Sequence, residues 1–162
     1  METLHQRFLD HLAARGWVIH PPTGNMPASL PSLAGNTAHA AFLSCFEQLH
    51  NQDDTCWFLC AADYAGTSDS AFGPDVLRDI SLESAISEAD RQAAESFWKH
   101  HIPIFMSVNG DYEFLALALD LDRIAGRVVH GAEPEFEEVT EVAESLDGLL
   151  DQVLMGEGGG VV

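Results

Sequence analysis

Apolar residues recur at helical spacing in two stretches of the N-terminal half. The first stretch runs from Thr3, a suitable N-cap, to Gly16, which is placed to end a helix. Residues 17–35 contain four prolines and two glycines, which indicates an extended surface connection. A second helix is expected from residue 36 or 37, on the apolar positions Ala38, Ala41, Phe42, Cys45, Phe46 and Leu49.

The middle of the chain predicts a strand, a loop and a third helix. Residues 55–64, TCWFLCAADY, are rich in the aromatic residues that favour strands and should be buried. The next stretch, AGTSDSAFGPD, has the composition of a long loop. Between Ser81 and His101 the apolar residues return to helical spacing and leave an acidic outer face.

After Pro103 the apolar positions alternate, which is typical of strands. Asn109–Gly110 is expected to form a tight primed turn and Ala125–Gly126 a second reversal. The pattern therefore predicts an antiparallel meander of three strands, Ile104–Val108, Tyr112–Leu121 and Arg127–His130.

The end of the chain predicts a last amphipathic helix. Periodicity allows a start near Glu138, but Ser145 is a strong N-cap and places Asp147 in the positive first turn, so we predict a start at Ser145. The preceding residues 133–142 are then an acid-rich loop or an edge strand. The predicted fold class is α+β: a single domain over residues 1–155 with a central, largely antiparallel sheet and flanking helices. Residues 156–162 form a flexible, Gly-rich tail.

Charge is the most unusual feature of the composition. The 162 residues include 26 acids and only 7 Lys and Arg, a formal net charge of −19, while 46% of the residues are hydrophobic. Direct binding to nucleic acid is disfavoured, because it needs cationic side chains that displace counterions. A field of this sign attracts a basic partner.

Cysteine usage and hydropathy predict a cytoplasmic protein. Three cysteines are an odd number and lie on mostly apolar segments, as reduced thiols do. The apolar runs are far shorter than the roughly 20 residues of a membrane-spanning helix, and charged residues interrupt the N-terminal stretch, unlike a secretory signal. We therefore expect no membrane association.

Two side-chain sets are compatible with metal chemistry. Asp120 and Asp122 fall on one face of a strand and could hold Mg²⁺ or divide acid and base roles, as in a small metal-dependent hydrolase. The alternation alone explains them as the end of a strand, which is the interpretation we adopt. Zinc ligands are the second possibility, from the set Cys56, Cys60, His100 and His101.

The zinc set is better explained without a metal. The three-residue gap between the cysteines differs from the common two-residue spacing, so core thiols are expected instead. His39, His50, His100 and His101 are expected at the surface or an interface. With no phosphate-binding glycine loop, G-x-S-x-G or H-E-x-x-H motif, we predict no enzymatic activity and no cofactor.

The C-terminal third resembles the SUKH superfamily, which includes bacterial immunity proteins and relatives of a fungal cell-wall synthesis regulator. The stretches that carry the resemblance, between Phe97 and Leu154, are IPIFMSVNGDYEFLALALD, AGRVVHG and VAESLDGLLDQVL. They match a pattern of strand, turn, strand with an acidic end, Gly-containing turn, Val-rich strand and a helix opened by Ser. The resemblance implies a single α+β domain without enzymatic activity, which binds and neutralises a cognate toxin, often a nuclease.

An acidic surface suits such a partner, because a nuclease holds phosphates with a basic face. A regulatory or scaffold binding domain is the alternative within the same class. The candidate partner-binding residues are the acids of the C-terminal run, Glu135, Glu137, Glu138 and Glu141, and those of the central loop, Asp63, Asp69 and Asp75.

Overall fold

The computed structural model describes residues 3–22, 37–66, 73–118, 127–133 and 135–156. Within them, one antiparallel sheet contains seven strands whose spatial order is the order along the chain. The strands are β1 Val18–His20, β2 Gln48–His50, β3 Cys56–Phe58, β4 His101–Ser107, β5 Glu113–Ala118, β6 Val128–Ala132 and β7 Thr140–Ala143. The predicted C-terminal meander is confirmed as β4, β5 and β6.

Helices flank this sheet, which confirms the predicted α+β class. Those in the described ranges are α1 Leu4–Ala14, α2 Thr37–Leu43, α3 Ala61–Ala65, α4 Val76–Ser84, α5 Glu88–Lys99 and α6 Leu146–Leu154. None of these helices has both the length and the apolar content that a bilayer crossing requires.

The central strands are buried on both faces. On β5, Leu115 and Leu117 pack into a cluster with α1, α2 and α6, while Phe114 and Ala116 pack into a second cluster with α4 and α5. Alternate side chains of a strand point to opposite faces, so the near-continuous apolar run of β5 supplies both cores. The sheet thus separates an α1/α2/α6 face from an α4/α5 face.

Side-chain caps define the first and last helices, as predicted. The Thr3 hydroxyl accepts from the Gln6 amide at 3.1 Å. The Ser145 hydroxyl accepts from the Gly148 amide at 3.0 Å. The start of α6 after Ser145 is therefore confirmed, and residues 140–143 before it form the edge strand β7.

The second predicted helix is wrong in length. It ends at Leu43, where the Ser44 hydroxyl and the Cys45 thiol both donate to the Ala41 carbonyl oxygen, at 2.6 and 3.3 Å. Such local side-chain bonds compete with helix propagation. Leu49 instead pairs with Phe58 across β2 and β3.

The middle of the chain also differs from the prediction. The strand expected over residues 55–64 stops at Phe58, and α3 follows from Ala61. The proline-rich connection contains β1, and its residues 23–36 lie outside the described ranges. The single third helix is two helices, α4 and α5, interrupted by an extended Ala85 (φ −67°, ψ 128°) and a new cap at Ser87.

The predicted primed turn at Asn109–Gly110 is also wrong. Strand β4 ends at Ser107 and β5 begins at Glu113, so residues 108–112 form a longer connection. Gly110 has φ +103°, whereas Asn109 is not among the described residues with positive φ, and a type I′ turn needs both. The predicted reversal at Ala125–Gly126 and the predicted tail after Gly156 lie outside the described residues.

Gly110 is therefore a conformational requirement. A Cβ at position 110 would have open space around it, but the backbone there has a φ angle that L residues avoid. We therefore expect Gly110→Ala to lower the free energy of unfolding by about 1 kcal/mol or more. Gly73→Ala is the control, because its Cβ also meets open space and its φ is not positive. Urea denaturation measures both, and equal effects would contradict the conformational explanation.

Candidate functional site

A groove of about 760 Å³ lies on the α4/α5 face of the sheet. One wall comes from the end of α4 and the first turns of α5, with Ile80, Ile86 and Asp90. The other comes from Asp111 in the β4–β5 connection, Glu133 after β6 and the segment 135–138. This volume is within the range of natural small-molecule pockets, about 300 to 1,000 Å³.

The break between α4 and α5 shapes the first wall. The Ser87 hydroxyl accepts from the Asp90 amide at 3.1 Å and starts α5 afresh. The preceding extended residue turns Ile86 outward, and its side chain is 93% exposed. Below the break, the Trp98 indole donates to the Ser81 hydroxyl at 3.0 Å and ties the two helices together.

Phe136 anchors the second wall. It is buried against Phe114, with ring centroids 5.8 Å apart. Gly131 makes this packing possible, because a Cβ there would lie 2.5 Å from the Phe114 ring and 3.1 Å from the Phe136 carbonyl oxygen. The flanking residues Glu135, Glu137 and Glu138 are thereby held at the mouth of the groove.

The same wall holds Glu133 in place. Its carboxylate accepts from the Tyr112 amide at 3.0 Å, and its own amide donates to the Tyr112 carbonyl oxygen at 2.9 Å. These bonds join the end of β6 to the start of β5 and fix the negative charge of Glu133 at the groove.

The groove is lined by carboxylates and floored by apolar side chains. No Lys, Arg or His is present among the described residues that line it, whereas six acids are: Asp90, Asp111, Glu133, Glu135, Glu137 and Glu138. Ile80, Ala85 and Ala93 provide the apolar surface between them, while the Phe136 side chain is buried beneath the wall. This arrangement is suited to a cationic segment that also carries an apolar side chain.

Two of the carboxyls interact directly. A side-chain hydrogen bond with Glu135, together with the negative charge of that residue, raises the pKa of Glu138 above its ordinary value. The folded state therefore binds this proton more tightly than the unfolded chain does, and the stability gained from it is lost as pH rises through the raised pKa.

The other predicted partner-binding residues lie elsewhere. Glu141 is on β7, with Arg127 at 3.7 Å, and Asp75 precedes α4, with Arg78 at 3.6 Å. Asp69 is outside the described residues.

The expectation of a partner-facing Asp63 is wrong for the structure described. Its side chain is buried in α3, where the carboxylate accepts from the Cys60 amide at 2.9 Å and from the Cys60 thiol at 3.3 Å. A carboxylate at this position satisfies an otherwise unpaired amide at the helix start.

Asp90, Asp111 and Glu133 were not among the predicted partner-binding residues, although Glu133 opens the acid-rich stretch 133–142 and Asp90 lies in the predicted third helix with its acidic outer face. These three acids meet only through the fold. A local signal did exist for the helix break. Ser87 followed three residues later by Asp90 resembles the start of a helix, and Ile86 directly before it interrupts the acidic pattern.

The side-chain set Cys56, Cys60, His100 and His101 does not form a metal site in the described part of the chain. No group of three or more His, Cys, Asp or Glu side chains there has the geometry to hold a metal ion. Burial raises the pKa of the Cys56 and Cys60 thiols to about 11. Asp120 and Asp122 lie outside the described residues.

The histidines differ in their surroundings. His100 and His101 bond through Nδ1 to the carbonyl oxygens of Ser96 and Phe97, at 2.8 and 2.7 Å. His100 is exposed, and His50 and His101 are half-buried. His39 is buried rather than at the surface as predicted, and this burial lowers its pKa to about 4.

Comparisons of the chain with protein families, curated proteins and solved structures found no match.

The interaction between Glu135 and Glu138 can be tested by carboxyl-detected NMR titration. We expect Glu135→Gln to lower the pKa of Glu138 toward its ordinary value, because the substitution removes the negative charge. Glu88→Gln, an exposed change at the start of α5 that does not line the groove, is the control. An unchanged Glu138 pKa in Glu135→Gln would show that the negative charge of Glu135 does not raise it.

Proposed function

We propose that this protein is a non-enzymatic binding protein of the immunity type, which neutralises a cognate bacterial toxin by holding a basic segment of it in the groove. The observation that carries the proposal is the lining of the groove: six carboxylates around an apolar floor, with no cationic side chain among the described residues there. The resemblance of residues 97–154 to the SUKH superfamily supports the immunity role.

Electrostatics favours this partner over others. The formal charge of −19 repels phosphate backbones, so direct nucleic-acid binding is not part of the proposal. A toxin that acts on nucleic acid carries a basic face to hold phosphates, and the groove would compete for that face. Charges at the rim of the groove accelerate encounter, while those that become buried slow dissociation.

The apolar part of the groove adds a second requirement. Ile86, at 93% exposure, lies in the lining of the groove together with Ile80 and Ala93. A large exposed apolar side chain next to a partly apolar groove is typical of an interface anchor. The proposed partner segment therefore combines Lys or Arg with at least one apolar side chain.

A cytoplasmic location and the absence of a cofactor complete the proposal. The free thiols of Cys45, Cys56 and Cys60 support a reducing compartment.

A regulatory or scaffold binding domain could use the same groove. Toxicity separates the two functions, because only an immunity protein restores growth to cells that express the toxin. Under this proposal an adjacent gene encodes the toxin domain, and the test pairs this chain with that domain. A lack of rescue by that pair would contradict the immunity role and leave a regulatory partner.

Charge reversal tests the groove itself. We expect the triple variant of Glu135, Glu137 and Glu138 to Lys to fold, to associate with the toxin roughly tenfold more slowly at low salt, and to lose neutralisation. The deficit should shrink as salt screens the charges. Stopped-flow association at several salt concentrations measures this.

The matched control reverses three exposed acids away from the groove, Glu47, Asp53 and Asp151, to Lys. Each reversal adds two charges, so both triple variants change the formal charge from −19 to −13. Equal slowing in the two variants would mean that net charge, rather than the groove, steers the toxin.

The apolar anchor makes a separate prediction. Ile86→Ser should raise the dissociation rate of the toxin complex by roughly fivefold or more, or about 1 kcal/mol, because an apolar contact is lost. Met155→Ser is the control, since Met155 is 73% exposed and does not line the groove. Surface plasmon resonance compares the two, and equal dissociation rates would exclude Ile86 from the interface.

A further inference from the structure

A cysteine, a histidine and an aspartate meet on the α1/α2/α6 face of the sheet. The Cys45 sulfur, after α2, lies 4.0 Å from Nδ1 of His5 on α1. Nε2 of the same His5 ring lies 3.2 Å from the Asp147 carboxylate in the first turn of α6. The three side chains thus form a chain of thiol, imidazole and carboxylate, contributed by three separate parts of the sequence.

This order of groups determines which ring nitrogen accepts a proton. A carboxylate only accepts hydrogen bonds, so the neutral His5 ring carries its proton on Nε2, facing Asp147. Its Nδ1 then presents a lone pair toward Cys45. This is the relation of a thiol to its base, with the base oriented by a third group.

The surrounding structure holds the imidazole in place. The His5 ring packs edge-on against Phe42, with centroids 5.6 Å apart, and its side chain is only 14% exposed. Asp147 follows the Ser145 cap, so α6 fixes its backbone. The carboxylate itself is 53% exposed and reaches His5 from the solvent side.

The thiol has two acceptors in reach. In the resting structure it donates to the Ala41 carbonyl oxygen at 3.3 Å. The contact with His5, at 4.0 Å, is at the outer limit for a sulfur hydrogen bond, and such contacts often tighten only when a reactant is bound. Both acceptors are within reach of one sulfur position, so rotation of the thiol hydrogen about the Cβ–Sγ bond exchanges one for the other.

The other two cysteines lack this arrangement. Cys60 is buried and its thiol donates to the Asp63 carboxylate, and burial raises the pKa of both Cys60 and Cys56 to about 11. Cys45 is only partly buried.

We propose that Cys45 is a reactive thiol that exchanges with low-molecular-weight disulfides such as oxidised glutathione, with His5 as its base and Asp147 as a positioning residue. Nδ1 of His5 takes the thiol proton, and the thiolate attacks one sulfur of the disulfide. The bond between the two disulfide sulfurs breaks as the new one forms, so Cys45 is oxidised to a mixed disulfide. The departing thiolate is the reduced product and receives the proton from His5.

This site is independent of the proposed toxin binding, because the groove lies on the other face of the sheet. Loss of thiol reactivity would leave toxin binding unchanged, and loss of toxin binding would leave the thiol reactive.

The test treats the full chain with oxidised glutathione across a pH series and maps the modified cysteines by mass spectrometry. We expect Cys45 to react at least about tenfold faster than Cys56 and Cys60 near neutral pH, and His5→Gln to slow it by roughly tenfold with a change in its pH profile. Asp147→Asn should slow it less, and His20→Gln, on β1, is the matched control.

Either of two results would overturn the proposal: Cys45 reacting no faster than the other two cysteines, or His5→Gln leaving both its rate and its pH profile unchanged. Unfolding of His5→Gln would be recognised by fast modification of Cys56 and Cys60. In that event the Asp147→Asn variant decides the outcome, because it changes a half-exposed position. If Cys45 reacts in this variant with an unchanged rate and an unchanged pH profile, the proposal is contradicted.

Discussion

Burial of the central strands on both faces is the constraint on which the other features of this fold depend. Strand β5 carries Leu115 and Leu117 into one core and Phe114 and Ala116 into the other. Each large apolar side chain buried in this way contributes about 1.5 to 3 kcal/mol relative to an exposed position. A sheet with two apolar faces requires helices on both, so α1, α2 and α6 cover one face and α4 and α5 the other.

The helices cover the two faces of the sheet unequally, and this difference creates the groove. On the α1/α2/α6 face, the helices close over a core that contains Phe8, Phe42 and Phe58. On the other face, the interruption at Ala85 and the buried Phe136 leave a gap between α5 and the segment 135–138. At the rim of this gap, a side-chain hydrogen bond with Glu135 and the negative charge of that residue raise the pKa of Glu138.

Local signals in the sequence were sufficient for much of the fold. Thr3 and Ser145 mark helix starts because a cap acts within three residues, and the alternation after Pro103 predicts the meander because strand pairing there follows chain order. The interruption at Ile86 was missed because the spacing of apolar residues continues across it.

The groove could not be predicted in this way. Asp90, Asp111 and Glu133 come together only when β4, β5 and β6 pair and α5 packs against them. The acidic run alone indicated half of the site, Glu135 to Glu138. The burial of Asp63 could not be predicted from the sequence either. An acid at this position is buried only if a helix begins after Cys60, where its carboxylate accepts from the Cys60 amide.

The measurement that tests toxin binding in the groove most directly is amide hydrogen exchange of the protein, free and in complex with the proposed cognate toxin. Exchange should slow in residues 84–93 and 135–138, which form the two walls of the groove, and stay unchanged in residues 146–154 of α6. Slowed exchange confined to α1 and α6, with both groove walls unaffected, would contradict the assignment of the groove as the binding site.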